Sequence, residues 1–183
     1  MNIGNLLVEG SLNAGVFQRI YSNTLTSAAT SITISGLNGD VDKVYRIKCR
    51  FVNGYNVAAN FMARLNNDSG ASNYGYQSLD GTNATATALR DTAEAQLALG
   101  YCSTLNYISM GEGLLYAKSG YVRTFLNEYS NSITGTTVTA IFIKGQSWNN
   151  IVDNISSIVV LADQTNGLGA GTVIELYALR ESL

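Results

Sequence analysis

The strongest constraint on the fold is an alternation of apolar and basic residues in the stretch KVYRIKCRFV, positions 43–52. The apolar residues are Tyr45, Ile47, Cys49 and Phe51, and the basic residues between them are Arg46, Lys48 and Arg50. A period of two places successive side chains on opposite sides of an extended chain. The stretch therefore predicts a half-buried β-strand with one apolar face and one basic face.

The same period recurs along most of the chain. The stretch ANFMARLN repeats it, and TSITISGL is a β-branched run that ends in glycine turns. Further strands are predicted at about 121–127, 137–144, 157–162 and 172–179, with weaker ones near 16–21, 74–78 and 105–117. About eight to ten strands with polar turns indicate an all-β, antiparallel jelly-roll sandwich. We expect a single domain of this kind at 16–183.

Two segments depart from the period of two. The stretch LRDTAEAQLALG, positions 89–100, is rich in alanine, and Leu89, Ala93 and Leu97 recur at a spacing of four. This spacing predicts one short helix or an ordered loop. Residues 1–15 have no strong period and are predicted to form an N-terminal arm that reaches a partner. Its candidate anchors are Ile3, Leu6, Leu7 and Val8.

Composition excludes several kinds of chemistry. The chain has no histidine, which removes Ser-His-Asp and Cys-His catalysis and the commonest zinc ligand. We therefore expect no enzymatic activity, no metal and no other cofactor. The net charge of −2 and the lack of a basic tail argue against a nucleic-acid partner. No apolar stretch approaches the length of a membrane span, so we expect no membrane partner.

Two further features of the composition concern packing. Only 13% of the residues are charged, which suggests that other subunits cover part of the surface. Cys49 and Cys102 are the only cysteines. Cys49 lies among apolar residues, where a free thiol behaves as a small core side chain. A disulfide between the two cysteines is the less favoured alternative.

A glycine-rich loop, Gly167-Leu-Gly-Ala-Gly171, follows a β-like run and could be a phosphate cradle or a turn. A dinucleotide-binding fingerprint needs the spacing G-x-G-x-x-G before a helix. Here Thr172 occupies the position of the third glycine, and the β-branched Val173 and Ile174 follow. β-branched residues start helices poorly, so the loop is predicted to connect two strands.

The C-terminal stretch NISSIVVLADQTNGLGAGTVIELYAL resembles the signature of a family of tailed-phage virion proteins. Its members end in a strand of ITSI-L type, a loop of N-F-x-A-G-S type and a last strand LYG. Ile155 to Ile158, the loop from Asn166 and the stretch Leu176-Tyr177-Ala178 correspond to these parts. Upstream, LTSAATSITISGL, NFMARLNNDSGASNYGYQSL and KGQSWNNIVDNISSI are also similar to the family, so the resemblance covers about 21–180. Leu168 stands where an aromatic residue is usual, and Ala178 stands in place of a glycine.

This resemblance implies a jelly-roll structural protein of a virion. Its most favoured form is a capsid decoration (cement) protein on the capsid exterior, assembled in the host cytoplasm. The implied partners are the major capsid protein and further copies of the chain, as a homotrimer. The alternative is a tail or fibre component that binds a glycan on the host surface.

Other residues are candidates for sites, each with a plainer alternative. The basic strand face of Lys43, Arg46, Lys48 and Arg50 is either a solvated strand surface or a patch for an anionic partner. Tyr74 and Tyr76 are candidate interface aromatics, whereas Trp148 and about half of the tyrosines are expected to be structural. Asp40 and Asp42 are expected to form a turn and not a calcium site. Glu112 and Glu128 are expected to be surface acids and not a glycosidase pair.

Overall fold

The computed structural model describes residues 16–180, except for the side chains of Thr134 and Arg180. It contains one helical turn, α1 (Gly39–Asp42), and twelve strands. The strands are β1 (Val16–Thr24), β2 (Ser31–Ser35), β3 (Val44–Val52), β4 (Ala59–Leu65), β5 (Tyr74–Thr82), β6 (Thr85–Glu94), β7 (Leu97–Cys102), β8 (Ile108–Tyr116), β9 (Arg123–Thr134), β10 (Thr137–Trp148), β11 (Ser157–Ala162) and β12 (Val173–Arg180). The predicted arm and its anchors Ile3, Leu6, Leu7 and Val8 lie outside the described residues.

The strands form two antiparallel sheets. The large sheet has the order β1-β12-β3-β8-β9-β10-β5-β6, and the small sheet has the order β2-β11-β4-β7. Each strand of the small sheet is preceded and followed along the chain by strands of the large sheet. This repeated crossing between sheets is the arrangement of a jelly roll, so the predicted fold class is confirmed. Among residues 16–180, no helix has the length and apolar character needed to cross a membrane.

The core lies between the small sheet and the inner face of the large sheet, the face that packs against it. Strand β3 shows why the sequence alternates, because Tyr45, Ile47, Cys49 and Phe51 are all buried there. Phe51 stacks on Phe61 of β4 at 4.3 Å between ring centroids, which joins the two sheets. The predicted apolar face of β3 is confirmed. Cys49 and Cys102 are buried free thiols, so the alternative disulfide is not formed.

The helix or loop predicted over 89–100 is wrong. The segment completes β6, turns, and forms most of β7. Leu89 is 44% exposed on β6, whereas Leu97 is buried in β7, so their spacing of four does not mark one helical face. Pairing of β6 with β5 and of β7 with β4 overrides the helical propensity of the alanines. The stretch DGTNATATA, which overlaps the end of β5 and the start of β6, forms the hairpin between these two strands.

The glycine loop between β11 and β12 is a β-connection, as predicted. Its backbone amides already donate within the protein: Leu168 N donates to Ala29 O at 3.0 Å, and Gly169 N donates to Val52 O at 2.8 Å. A Cβ at Gly169 would approach Val52 O to 2.9 Å, so glycine is required for this close contact. Because these amides are occupied, the loop does not present a free cradle of donors to a phosphate.

Trp148 is structural, as predicted, and packs at the edge of the core beside a group of hydrogen-bonded polar side chains. It is 1% exposed, and its indole nitrogen donates to Asp68 Oδ2 at 2.7 Å. Asp68 also accepts hydrogen bonds from the Gly70 amide and the Asn73 side chain. Burial raises the pKa of Asp68, but these three hydrogen bonds together outweigh burial and hold that pKa below its usual range.

Candidate interaction surface

The outer face of the large sheet, opposite the core, carries an unusual number of exposed apolar side chains. Leu114 of β8 pairs with Leu126 of β9, and Ile143 of β10 pairs with Leu79 of β5. The exposed apolar residues on this face are Leu79 (63%), Met110 (69%), Leu114 (46%), Leu126 (62%), Ile141 (51%) and Ile143 (43%). We call this group the outer apolar patch. The pair Glu112 and Glu128 crosses the patch, between Met110 and Leu114 on β8. A cluster of exposed apolar side chains on one face of a soluble protein marks an interaction site.

Strands β8, β9 and β10 carry this patch because they are apolar on both faces. On β8, Leu115 is buried in the core and Leu114 is exposed on the outer face. On β9, Phe125 is buried and Leu126 is exposed. The sequence signal is a run of adjacent apolar residues, such as the stretch AIFI before Lys144, where a one-sided strand would alternate. The sequence interpretation did not use this signal and missed the patch.

The predicted basic strand face lies beside the patch, on the same outer face. Arg46 donates to both oxygens of Glu112, at 2.9 and 2.8 Å, and Lys48 Nζ lies 3.7 Å from Glu112 Oε2. Arg50 donates to the Gly171 carbonyl. The structure therefore brings Arg46, Lys48 and Arg50 together, but as part of a surface that carries both signs of charge.

Lys43 is separate from these three residues. It lies at the C-terminal end of α1 with a φ of 60°, and its amide donates to Gly39 O. Lys43 therefore precedes the first residue of β3, and its carbonyl accepts a hydrogen bond from the Ala117 amide. Of the four predicted basic residues, Arg46, Lys48 and Arg50 lie on β3 itself.

Acidic residues complete the charged part of the outer face. Glu112 and Glu128 are cross-strand partners on β8 and β9, so the structure places them side by side. Glu112 is held by Arg46, as described above. On β12, Glu175 accepts from Tyr177 at 2.8 Å and from Arg19 at 3.0 Å. Both hydrogen bonds lower the pKa of Glu175, and the bond from Tyr177 has the larger effect.

The outer face is uneven, which favours a partner that fits its shape. One recess of about 290 Å³ is lined by Leu114, Leu126 and Ile143 of the patch together with Arg46 and Glu128. A second of about 620 Å³ extends along β3, β8 and β9 and includes Met110 and Ile141. Apolar side chains thus line both recesses, and Glu112 and Glu128 line both as well. Apolar and charged groups are mixed on this face, as they are on protein interfaces taken as a whole, which are about as apolar as the rest of a protein surface.

The two candidate aromatics differ in position. Tyr74 is 2% exposed: its hydroxyl donates to Asp68 O and accepts from Leu65 N, and its ring stacks on Trp148. The prediction that Tyr74 lies at an interface is therefore wrong, because the side chain fills the core. Tyr76 is half-buried on the inner face of β5.

Asp40 and Asp42 do not converge on a site. They belong to α1, where Asp40 accepts from the Ser119 amide and Asp42 accepts from the Tyr45 hydroxyl. Among the described residues, no group of three or more metal-ligating side chains is placed to hold an ion. The predicted turn is thus a single turn of helix.

Comparisons with known proteins return only distant similarities. No family model and no curated protein matches the chain. Among solved structures, an alginate lyase from Aplysia kurodai is 10% identical with a TM-score of 0.32, covering 91% of this chain and 83% of that one. A galectin from Caenorhabditis elegans is 8% identical with a TM-score of 0.31, and the match covers 87% of this chain and 96% of the galectin. The tripod from the baseplate of bacteriophage Tuc2009 is 10% identical with a TM-score of 0.25, and the match covers 99% of this chain and 72% of that one. Similarities this weak carry no argument about function.

Proposed function

We propose that the chain is a structural protein of a tailed-phage virion, a capsid decoration protein that assembles with copies of itself through its outer face. The observation that carries the proposal is the outer apolar patch, whose six large side chains are 43% to 69% exposed. A patch of this size is costly to leave in water. The phage role itself is supported by the resemblance of about 21–180 to virion proteins. We propose no chemical reaction.

A second copy of the chain is the occupant that fits this surface best. The patch lies beside side chains of both charges, Arg46 and Lys48 next to Glu112 and Glu128. A surface with both signs can pair with itself, whereas a strongly basic or acidic partner would meet repulsion from half of these groups. Symmetric association of identical copies is also the commonest way in which soluble proteins oligomerise. A trimer would let each copy meet the capsid through the same remaining surface.

Replacing Leu126 with aspartate should separate the oligomer. Leu126 lies in the patch, 62% exposed and paired with Leu114. In the assembly a carboxylate there would be buried among apolar side chains without a partner, so we expect self-association to weaken at least about 100-fold. Light scattering after size-exclusion chromatography measures the change in mass.

The matched control is Val152→Asp, which adds the same charge at a 79% exposed valine outside the sheets. We expect this variant to keep the mass of the wild type, and both variants to keep its melting temperature. A monomeric wild-type protein at micromolar concentrations, or an unchanged oligomer in Leu126→Asp, would contradict assembly through the outer face.

Copy number tests the virion role separately from self-association. A decoration protein covers the shell, so we expect its amount in purified particles to be comparable to that of the major capsid protein. Quantitative mass spectrometry of both proteins in the same particles gives the ratio. A handful of copies per particle would favour the tail or fibre alternative, and absence from the particles would exclude a virion protein.

A further inference from the structure

The inner face of the large sheet extends beyond the small sheet and leaves a shelf. The edge strand of the small sheet, β7, lies over β8 and β9 and reaches β10 only through side chains, where Gln146 hydrogen-bonds to the backbone of Ala98 and Phe142 meets Tyr101. The inner side of β5 and the neighbouring part of β10 are therefore not covered by a second sheet. We call this region the inner shelf, and it lies on the opposite side of the large sheet from the outer apolar patch.

Three buried side-chain polar atoms lack a hydrogen-bond partner among the described residues, two of them on the shelf and the third on β9 at its border. They are Ser78 Oγ, Asp80 Oδ1 and Asn131 Nδ2. Ser78 is 1% exposed, Asp80 is 9% exposed and Asn131 is 2% exposed. An unpaired buried polar atom costs about 1–3 kcal/mol, and native proteins contain few of them. Their grouping on β5 and β9 points to a ligand that supplies the partners.

A recess at the end of the shelf is lined by one of these three residues, although the unpaired atoms themselves are closed off from solvent in the free protein. It has a volume of about 400 Å³ and is lined by Asn131 together with Tyr101, Phe142 and Thr82. The oxygen of the Asn131 amide already accepts from the Thr139 hydroxyl, which leaves the Nδ2 donor for a ligand. The volume lies within the range of about 300–1,000 Å³ that is usual for small-molecule sites.

Aromatic side chains form the floor and wall of the recess. The Phe142 ring meets Tyr101 of β7 edge-on at 6.2 Å between centroids, and it stacks on Tyr129 at 4.6 Å. Further along the shelf, Lys144 Nζ lies 4.1 Å from the centroid of the Tyr76 ring. Half-exposed aromatic rings beside polar groups can pack against the C–H face of a sugar ring while the polar groups bind its hydroxyls.

The mixture of unpaired groups selects the chemical class of the ligand. Asp80 supplies an acceptor, Asn131 supplies a donor and Ser78 can do either. A phosphate would be repelled by Asp80, a metal cation would be repelled by Lys144, and an apolar ligand would leave the polar atoms unpaired. Hydroxyl groups both donate and accept. We propose that the inner shelf binds a neutral saccharide, with Asn131, Phe142 and Tyr101 at the recess and Asp80 and Ser78 along the floor.

Nuclear magnetic resonance tests this proposal on the full chain. The probes are glucose, galactose, mannose, N-acetylglucosamine and the disaccharides maltose and lactose, each titrated separately. We expect at least one to shift the Asn131 side-chain amide and the Phe142 and Tyr101 ring signals in a saturable way, with a dissociation constant of about 1 mM. The proposal is overturned if none of the six sugars does so, or if the shifts occur only on the outer face.

The variant Asn131→Leu separates binding from folding. Leucine has a similar size and removes the unpaired donor. It also removes the oxygen that accepts from Thr139, but the half-exposed Thr139 hydroxyl can bond to water instead. We expect the melting temperature to stay close to that of the wild type, while the sugar-induced shifts of Phe142 and Tyr101 fall at least about tenfold. Undiminished shifts in this variant would overturn the proposal. Leu126→Asp, on the opposite face, should bind the sugar as the wild type does, whatever its oligomeric state.

Discussion

Replacing Arg123 with alanine should lower the free energy of unfolding by about 3–5 kcal/mol. Arg123 begins β9 and is 0% exposed. Its guanidinium donates to the carbonyls of Asn150 and Asp153, at 2.6 and 2.5 Å, and more weakly to Ala117 O. Alanine would leave these carbonyls without their donor and would open a cavity beside Trp148. Urea denaturation measures the loss.

The arginine matters because it holds a loop that has no regular structure of its own. Residues 149–156 connect β10 to β11 and so join the two sheets. Burial lowers the pKa of the Arg123 guanidinium, with Asp40 and Asp153 opposing that shift. An arginine nevertheless stays protonated at neutral pH, so it remains a donor throughout.

Two variants define the mechanism behind this loss. Arg123→Lys keeps the positive charge but not the planar guanidinium with its several donors. We therefore expect its free energy of unfolding to lie between those of the wild type and Arg123→Ala. Arg90→Ala removes an exposed arginine from β6 and should change stability by less than about 0.5 kcal/mol. If Arg123→Ala lies within about 1 kcal/mol of the wild type, the guanidinium does not hold the loop.

The period of two predicted the fold class because it reports burial directly. Apolar and basic residues alternate along β3 because one face of the strand packs on the core and the other faces outward. Strands β11 and β12 lie where the sequence is rich in β-branched residues. The segment 89–100 could not be assigned in the same way. Strand β6 is an exposed edge with little apolar pattern, and the turn after it falls inside an alanine-rich stretch. The second half of the segment forms β7, and the conformation of β7 depends on pairing with β4, residues 59–65, more than 30 positions earlier in the chain.

The candidate surfaces were harder to predict than the fold. Arg46, Lys48 and Arg50 were visible as a basic face, but their acidic partner Glu112 is 66 residues from Arg46 along the chain. Only the sheet order brings β3 next to β8. Tyr74 and Tyr76 share one side of β5, yet the small sheet and Trp148 cover only the first of them. The strand register and the width of the small sheet determine which of these side chains are covered and which are paired. Neither property can be predicted from a local sequence pattern.

The second large effect is expected from Gly111→Ala, which tests how closely β9 and β7 pack around β8. Gly111 lies on the inner face of β8, between Cys49 and Tyr129 in the ladder. An added Cβ would lie 2.6 Å from the Tyr129 Cβ, 2.8 Å from Glu128 O and 3.2 Å from Leu99 O of β7. The two closest atoms belong to β9, the neighbouring strand of the same sheet, and the third belongs to β7 of the small sheet. Two of these atoms are backbone and the third is fixed to it, so β9 and β7 would both have to shift away from β8. We expect the free energy of unfolding to fall by about 3 kcal/mol.

Gly145→Ala is the matched control, because it makes the same change on a strand of the same sheet. A Cβ at Gly145 meets nothing within 4 Å, and its φ does not lie in the left-handed region. Alanine there restricts the unfolded chain more than glycine does, so we expect a gain of about 0.5 kcal/mol. Urea denaturation of both variants gives the comparison. Equal stabilities for the two variants would mean that β9 and β7 can both shift away from β8 at little cost. The recess beside these strands would then be a deformable site and not a preformed one.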